Sequence, residues 1–154
     1  MRHISQKTCI KFINRTNEKH YVDCYSYVGV RNNGAQSISL GYGCHSFGTI
    51  LHEIIHAIGF YHAHSRNDRD EFLNIQWNNI KDKFQSQFRK LDAYSGKIYT
   101  PFDYDSIMLY GSRAFSRDGS ITMSPKKLGI VLRFISKKSL SQYDIKSINK
   151  LYNC

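Results

Sequence analysis

Residues 52–62 read H-E-I-I-H-A-I-G-F-Y-H, and this stretch decides the fold that the sequence predicts. The apolar side chains at positions 51, 54, 55 and 58 recur at the i, i+3, i+4 and i+7 spacing of an amphipathic helix, which predicts a helix over residues 49–58. Gly59 is placed to end that helix in a left-handed turn. The histidines and the glutamate then lie on a separate face of the helix.

Three histidines in this stretch have metal-ligand spacing. His52 and His56 lie one helical turn apart, so both imidazoles reach one metal ion, and the turn at Gly59 lets His62 supply a third nitrogen. Three histidines leave one position open for water, which is typical of a catalytic zinc. We expect Glu53 to act as the general base on that zinc-bound water. The alternative is that all four are ordinary solvated helix residues.

Composition limits the class of protein. The chain has 154 residues, of which 41% are hydrophobic and 14% aromatic, so we expect one globular domain rather than a disordered segment. No apolar stretch is long enough for a membrane helix, and no membrane association is expected. The net charge of +10 is compatible with an acidic partner, but no block of like charges is present. We therefore expect no nucleic-acid partner. The chain is also expected to be a monomer.

Four cysteines, at positions 9, 24, 44 and 154, contain no C-x-x-C pair. An even count favours two disulfides and an oxidising compartment, with three possible pairings. Four buried, reduced thiols are the alternative.

The remaining pattern predicts an α+β fold, with strands early in the chain and helices later. The predicted strands are residues 9–13, 20–28 and 36–40, with a turn at residues 32–34. A second helix is predicted near residues 77–90, with Ile80, Phe84 and Phe88 on one stripe. A capping box over residues 141–144 begins the last helix.

The long motif resembles a known family. H-E-x-x-H-x-x-G-x-x-H followed by the S-I-M-L-Y of residues 106–110 is similar to the metzincin pattern with its Met-turn. Residues 52–70 resemble the astacin family of secreted zinc endopeptidases, as do residues 8–12, 25–29, 43–44, 104–110 and 140–144. The resemblance implies one peptidase domain over residues 1–154. Its N-terminal lobe (about 1–62) would hold a small twisted sheet and the active-site helix, and its irregular C-terminal lobe (about 63–154) would end in a helix.

The resemblance also implies roles for individual residues. One zinc ion per chain would be bound by His52, His56 and His62, with Glu53 as the general base. Met108 would be the Met-turn residue beneath the metal. Tyr110 would be an additional zinc ligand that moves away when substrate binds and helps to stabilise the oxyanion. Spacing alone favours simple core packing for Tyr110.

Further implications concern bridges, substrate and location. The disulfides would be Cys9–Cys154 and Cys24–Cys44, and residues 36–40 would pair with an extended peptide substrate. Charged side chains over residues 66–70 would form an ion-pair network after the helix. The expected function is that of a secreted zinc endopeptidase acting on proteins or peptides, with the signal peptide and pro-segment outside this sequence. The alternative is a catalytically weak, zinc-bearing relative that acts as a binding module.

The sequence departs from the family pattern at several places. Only eight residues precede the first cysteine, where the family has a strand and a helix, and the segment between Cys9 and Cys24 is short. Ala63 replaces a glutamate that contacts the buried N-terminus in the family, and Leu109 replaces a histidine of the Met-turn. The short N-terminus and Ala63 fit together, because a buried carboxylate without a partner is costly. We expect either that residues 1–7 stay apart from the C-terminal lobe or that the chain is truncated.

Overall fold

The computed structural model describes residues 1–11, 25–29, 36, 38–39, 45–92, 94–133 and 139–154. In these ranges three α-helices are present: α1 (Arg2–Ser5), α2 (Phe47–Ala57) and α3 (Gln142–Tyr152). Two antiparallel sheets have two strands each. The first pairs β1 (Tyr25–Ser26) with β2 (Ile38–Ser39), and the second pairs β3 (Leu73–Ile75) with β4 (Met123–Pro125). The predicted α+β class is confirmed.

Helix α2 forms where the sequence predicts it. Ser46 caps its first turn, because the Ser46 hydroxyl accepts the Thr49 amide at 3.1 Å. Gly59 follows the helix with a φ of +109°, and its amide donates to the His56 carbonyl at 2.8 Å. That backbone conformation suits glycine, so the left-handed turn predicted at Gly59 is confirmed.

The core consists of two clusters of buried side chains. The first packs around the apolar face of α2 and contains Ile4, Leu51, Ile54, Ile55, Ile107, Met108, Leu140 and Ile148. The second lies around β3 and β4 and contains Leu73, Ile80, Phe88, Phe102, Leu109, Met123 and Leu132. The neighbours Met108 and Leu109 belong to different clusters, so the chain crosses from one to the other at this point.

Two sequence predictions are corrected here. Residues 77–90 do not form an α-helix, but two 3₁₀ segments, Trp77–Asn79 and Asp82–Phe88. Ile80 and Phe88 are nevertheless fully buried, and Ile80, which lies between the two segments, forms an antiparallel bridge with Ser116. Residues 9–11 are not a strand, and the rest of that predicted strand lies outside the described residues. So do the predicted turn at 32–34 and most of the strand at 20–28.

The two ends of the chain meet beside α2. A disulfide joins Cys9 to Cys154, as the resemblance implies, whereas Cys24 and Cys44 lie outside the described residues. Ile4 is fully buried in the first cluster, and the Leu140 amide lies 3.4 Å from Nε2 of His3. The expectation that residues 1–7 stay apart from the C-terminal half is therefore wrong. The buried Ile4 side chain supplies the apolar area that holds α1 in place.

The helix α3 begins at the predicted capping box. Ser141 and Asp144 form the reciprocal capping box, and Asn153 ends the helix in a left-handed conformation. Among the described residues, no helix has the length and apolar character needed to cross a membrane.

Candidate active site

Two of the predicted ligands, His52 and His56, project from α2 and are almost completely buried. Their Nδ1 atoms lie close to backbone carbonyls, at 2.9 Å from the Ile107 oxygen and 2.6 Å from the Phe60 oxygen. A carbonyl oxygen only accepts, so each Nδ1 carries the proton and donates it. In the neutral ring, the Nε2 atom of each histidine then presents a lone pair.

The third histidine meets the other two at one point. Nε2 of His62 lies 3.1 Å from Nε2 of His52 and 3.0 Å from Nε2 of His56. Burial is the largest cause of the lowered pKa of His56. Burial is also the largest cause for His62, whose pKa is lowered well below its usual value. The Nε2 atoms of all three histidines therefore meet at one point.

This donor set fits a zinc ion. The ring nitrogens of all three histidines lie within 4.8 Å of one another. Two imidazole nitrogens bound at about 2.05 Å to a tetrahedral ion would be about 3.3 Å apart. Two facing lone pairs repel each other unless a cation lies between them, and imidazole nitrogen is a preferred ligand of zinc. The residues that the sequence predicts as ligands, His52, His56 and His62, are thus brought together by the fold.

Glu53 lies on α2 directly after the first ligand, and only 6% of its surface is exposed. Burial raises the pKa of its carboxyl to about 7, although a hydrogen bond from the backbone of Ser26 lowers it in part. Strand β1, which carries Ser26, therefore contacts the one acidic side chain of the active-site helix. A carboxyl with a pKa near 7 can take up and release a proton at neutral pH.

The segment after residue 105 supports the ligands from the other side. Met108 is buried in the cluster that packs against α2. Its carbonyl accepts the amide of Ala63 at 2.9 Å, which ties the residue next to His62 to this turn. Leu109 is fully buried in the second cluster, so an apolar side chain suits the position where the family has histidine.

Asp144 is a residue of the site whose sequence context indicates only a helix cap. Its carboxylate accepts the Ser106 hydroxyl at 2.6 Å and the Ile107 amide at 2.9 Å, besides the Ser141 amide at 3.0 Å. Burial raises the pKa of this carboxyl, while the three hydrogen bonds lower it. The signal in the sequence was an acid in the capping box, which gave no indication of contact with the Met-turn.

Tyr110 lies in a group of stacked rings next to the ligands. The centre of its ring is 4.3 Å from that of His62, 4.6 Å from that of His64 and 6.1 Å from that of His52. Burial, together with the negative charge of Glu53, raises the pKa of its phenol. The fold thus places Tyr110 beside two of the three predicted ligands.

The charged residues after the helix form the expected network. Arg66 binds both carboxylate oxygens of Asp68, at 2.9 and 2.7 Å. Arg69 is buried, pairs with Asp70 at 2.9 Å and donates to the His64 carbonyl at 2.9 Å. Because these donors bind backbone and carboxylate oxygens around residues 64–70, they fix the course of the chain just after His62.

Comparisons with known proteins agree with this geometry. The model of the peptidase family Astacin matches residues 1–153. The whole chain is 51% identical to "Astacin-like metalloprotease toxin 1" of Loxosceles intermedia and covers 62% of that protein. Over 96% of the chain it is 42% identical to "Zinc metalloproteinase nas-4" of Caenorhabditis elegans, of which it covers 49%. It therefore spans less than two thirds of the length of these relatives.

A solved structure has the same fold. "High choriolytic enzyme 1 (HCE-1), a hatching enzyme zinc-protease from Oryzias latipes (Medaka fish)" superposes with a TM-score of 0.88 at 39% identity. The match covers all of this chain and 79% of the fish protein. Because the family model matches nearly the whole length of this chain, the chain belongs to the astacin family of zinc metallopeptidases.

Proposed function

We propose that the protein is a zinc-dependent endopeptidase that hydrolyses peptide bonds in proteins or peptides outside the cell. The observation that carries the proposal is the meeting of three histidine nitrogens, at 3.0 and 3.1 Å, beside the buried carboxyl of Glu53. Membership of the astacin family supports the reaction class. The disulfide between Cys9 and Cys154 supports an oxidising, extracellular location.

Each residue has a defined part in this proposal. His52, His56 and His62 would hold the zinc, which supplies an activated water and polarises the scissile carbonyl. Glu53 takes a proton from the attacking water on its carboxylate and returns it to the leaving amine. The phenol of Tyr110 donates a hydrogen bond to the oxygen that becomes negative in the tetrahedral state, and as an anion it would be a further metal ligand.

Glu53 favours catalysis over a role as a binding module. Zinc binding by three histidines requires no carboxylate at that position, and an ionised carboxyl is costly to bury. Its elevated pKa of about 7 is that of a working acid and base at neutral pH. A module that only binds a partner would have no use for such a group.

Substrate would add to the sheet of the N-terminal half. Strand β2 pairs with β1 on one side, with Ser26 opposite Ile38. An extended peptide pairing antiparallel with the other side of β2 would be bound mainly through its backbone. This mode of binding selects an extended conformation and leaves side-chain preference to the surrounding residues.

The test is cleavage of unfolded casein by the purified, zinc-loaded chain. We expect cleavage that a chelator abolishes and zinc restores. Glu53→Gln should lower the rate by at least about 100-fold with unchanged zinc content, since it removes the general base. The exposed Glu71 offers a matched control, and Glu71→Gln should cleave at the normal rate. A full zinc complement without cleavage would contradict the proposal, as would an active Glu53→Gln protein.

A further inference from the structure

Phe115 has an unusual backbone conformation. Its φ is +56°, in the left-handed region that favours glycine. The other non-glycine residue with a positive φ in the described part of the chain is Asn153, which ends α3. Asparagine tolerates this conformation well, whereas a bulky side chain adopts it rarely and at a cost in energy. A strained conformation of this kind indicates a position where the structure has a use for it.

Hydrogen bonds on both sides hold the loop around Phe115 in place. The Phe115 carbonyl accepts the Lys81 amide at 3.1 Å. The carbonyl of the preceding residue, Ala114, accepts the Thr122 hydroxyl at 2.8 Å, and its amide donates to the Gly111 carbonyl at 3.1 Å. The strained backbone is therefore fixed by its surroundings and cannot relax without breaking these bonds.

The ring of Phe115 returns to the residue five positions earlier. Its centre lies 5.5 Å from that of the Tyr110 ring, with the two planes at 65°. The Phe115 ring also packs against two other rings, with its centre 4.6 Å from that of Phe84 and 6.1 Å from that of Phe88. Because φ sets the direction in which Cβ leaves the backbone, the positive φ helps to decide that the ring lies against Tyr110.

Tyr110 is thus held from more than one direction. His64 stacks on its ring at 4.6 Å with an interplanar angle of 27°, and His64 in turn contacts Phe88 at 5.1 Å. Phe88 is fully buried and also contacts Phe115. The four rings of Tyr110, His64, Phe88 and Phe115 form a closed circuit, in which Phe115 is the member that requires a strained backbone.

We propose that Phe115 is a positioning residue for Tyr110, whose phenol it holds in place beside the metal ligands. The inference rests on the proposed function, which gives Tyr110 its role at the metal. Phe115 acts through the edge-to-face contact of the two rings, a geometry that aromatic pairs prefer. Simple filling of the second core cluster would require neither an aromatic ring nor a positive φ at this position.

The test replaces zinc by Cu(II) in the purified full chain. A phenolate bound to Cu(II) has a visible charge-transfer absorption that histidine ligands alone do not produce, so the band reports whether Tyr110 reaches the metal. Phe115→Asn removes the ring but keeps a residue that accepts a positive φ. Phe115→Tyr keeps an aromatic ring at this position. If the Phe115→Asn protein does not bind copper, Phe115→Leu is used in its place.

A matched control shows how the loss of an aromatic contact elsewhere in the second cluster affects the copper band. Phe72 packs against the second cluster and stacks on Phe102 at 4.6 Å, so Phe72→Leu removes a comparable contact elsewhere. We expect the band in the unaltered chain, in Phe72→Leu and in Phe115→Tyr. It should vanish in Tyr110→Phe and weaken at least about threefold in Phe115→Asn. With zinc, kcat of Phe115→Asn should fall about tenfold or more while KM stays within about twofold, since misplacement of a catalytic group affects the chemical step.

Three results would overturn the inference. One is a normal band and kcat in Phe115→Asn, and another is an equal loss of the band in Phe72→Leu. The third is a copper protein whose unaltered form has no band, because Tyr110 would then not reach the metal. Cleavage of casein by the zinc protein would in that case leave the proposed endopeptidase function standing, so the two failures are distinguishable.

Discussion

The carboxylate of Asp144, on the C-terminal helix, is bound to the backbone amide of Ile107 at 2.9 Å. The carbonyl of the same Ile107 accepts the Nδ1 proton of His52 at 2.9 Å. Asp144 therefore orients a predicted zinc ligand through one residue, although 92 positions separate Asp144 from His52 in the sequence. Groups that orient a ligand in this way typically change metal affinity strongly when they are removed.

Asp144→Ala is predicted to weaken both the metal site and the fold. It removes the carboxylate that accepts the Ser106 hydroxyl at 2.6 Å and the Ile107 amide at 2.9 Å. We expect the free energy of unfolding to fall by about 2–4 kcal/mol and zinc affinity to fall about 10–100-fold. Chelator competition and denaturant unfolding measure these changes. The exposed Asp105 offers the control Asp105→Ala, and equal zinc affinity in the two variants would contradict the assigned role.

Gly59→Ala should disturb the path from α2 to His62. The added Cβ would lie 3.5 Å from the Leu151 side chain, an ordinary contact, so the cost comes from the φ of +109°. We expect a loss of about 1–2 kcal/mol in unfolding free energy together with weaker zinc binding. Gly119 has a φ of +88° and open space around it, far along the chain from the ligands. Gly119→Ala should lose similar stability but keep its zinc affinity, and an unaltered affinity in both would refute the prediction.

The disulfide between Cys9 and Cys154 is predicted to stabilise the protein strongly, because it closes a loop with a sequence separation of 145 residues. In the loop-entropy description, such a bridge contributes about 5 kcal/mol by restricting the unfolded chain. The double variant Cys9→Ser with Cys154→Ser should lose most of this stabilisation, as measured by denaturant unfolding. A loss below about 1 kcal/mol would mean that the ends are held mainly by the packing of Ile4.

Stability is predicted to fall in acid because of His64. Its Nε2 lies 3.0 Å from the Gln87 carbonyl, and burial lowers its pKa from an ordinary 6.5 to about 4. Between pH 4 and 6.5 the unfolded chain binds more protons than the native chain, so stability is lost as the pH falls through this window. The full effect of His64 is about 3 kcal/mol.

Unfolding of the protein and of His64→Leu at equal zinc concentration, from about pH 4 to 7, tests this effect. The ligand histidines act in both proteins, so the difference between the two curves isolates residue 64. That difference should change by about 3 kcal/mol across the window. A constant difference would show that His64 is not kept neutral by its surroundings.

Local signals in the sequence were sufficient for the elements with regular spacing. The apolar period over residues 51–58 and Gly59 predicted the bounds of α2 to within two residues at its start, and the spacing of three histidines predicted the metal site. Residues 77–90 have the same kind of period, yet they form 3₁₀ segments. Their backbone instead hydrogen-bonds to the segment around Phe115, as at the Lys81 amide, so tertiary contacts outweigh helix propensity there.

The sequence by itself determined that His52 and His56 lie on one face of a helix with Glu53 as their neighbour, since this follows from helical geometry alone. Resemblance added the bridge from Cys9 to Cys154. Only the tertiary structure decided what surrounds this site: the Asp144 carboxylate behind Ile107, the Ala63 amide on Met108 and the Phe115 ring against Tyr110. These contacts join segments that local periodicity cannot relate, because a hydrogen bond or ring contact between distant residues depends on the path of the whole chain between them.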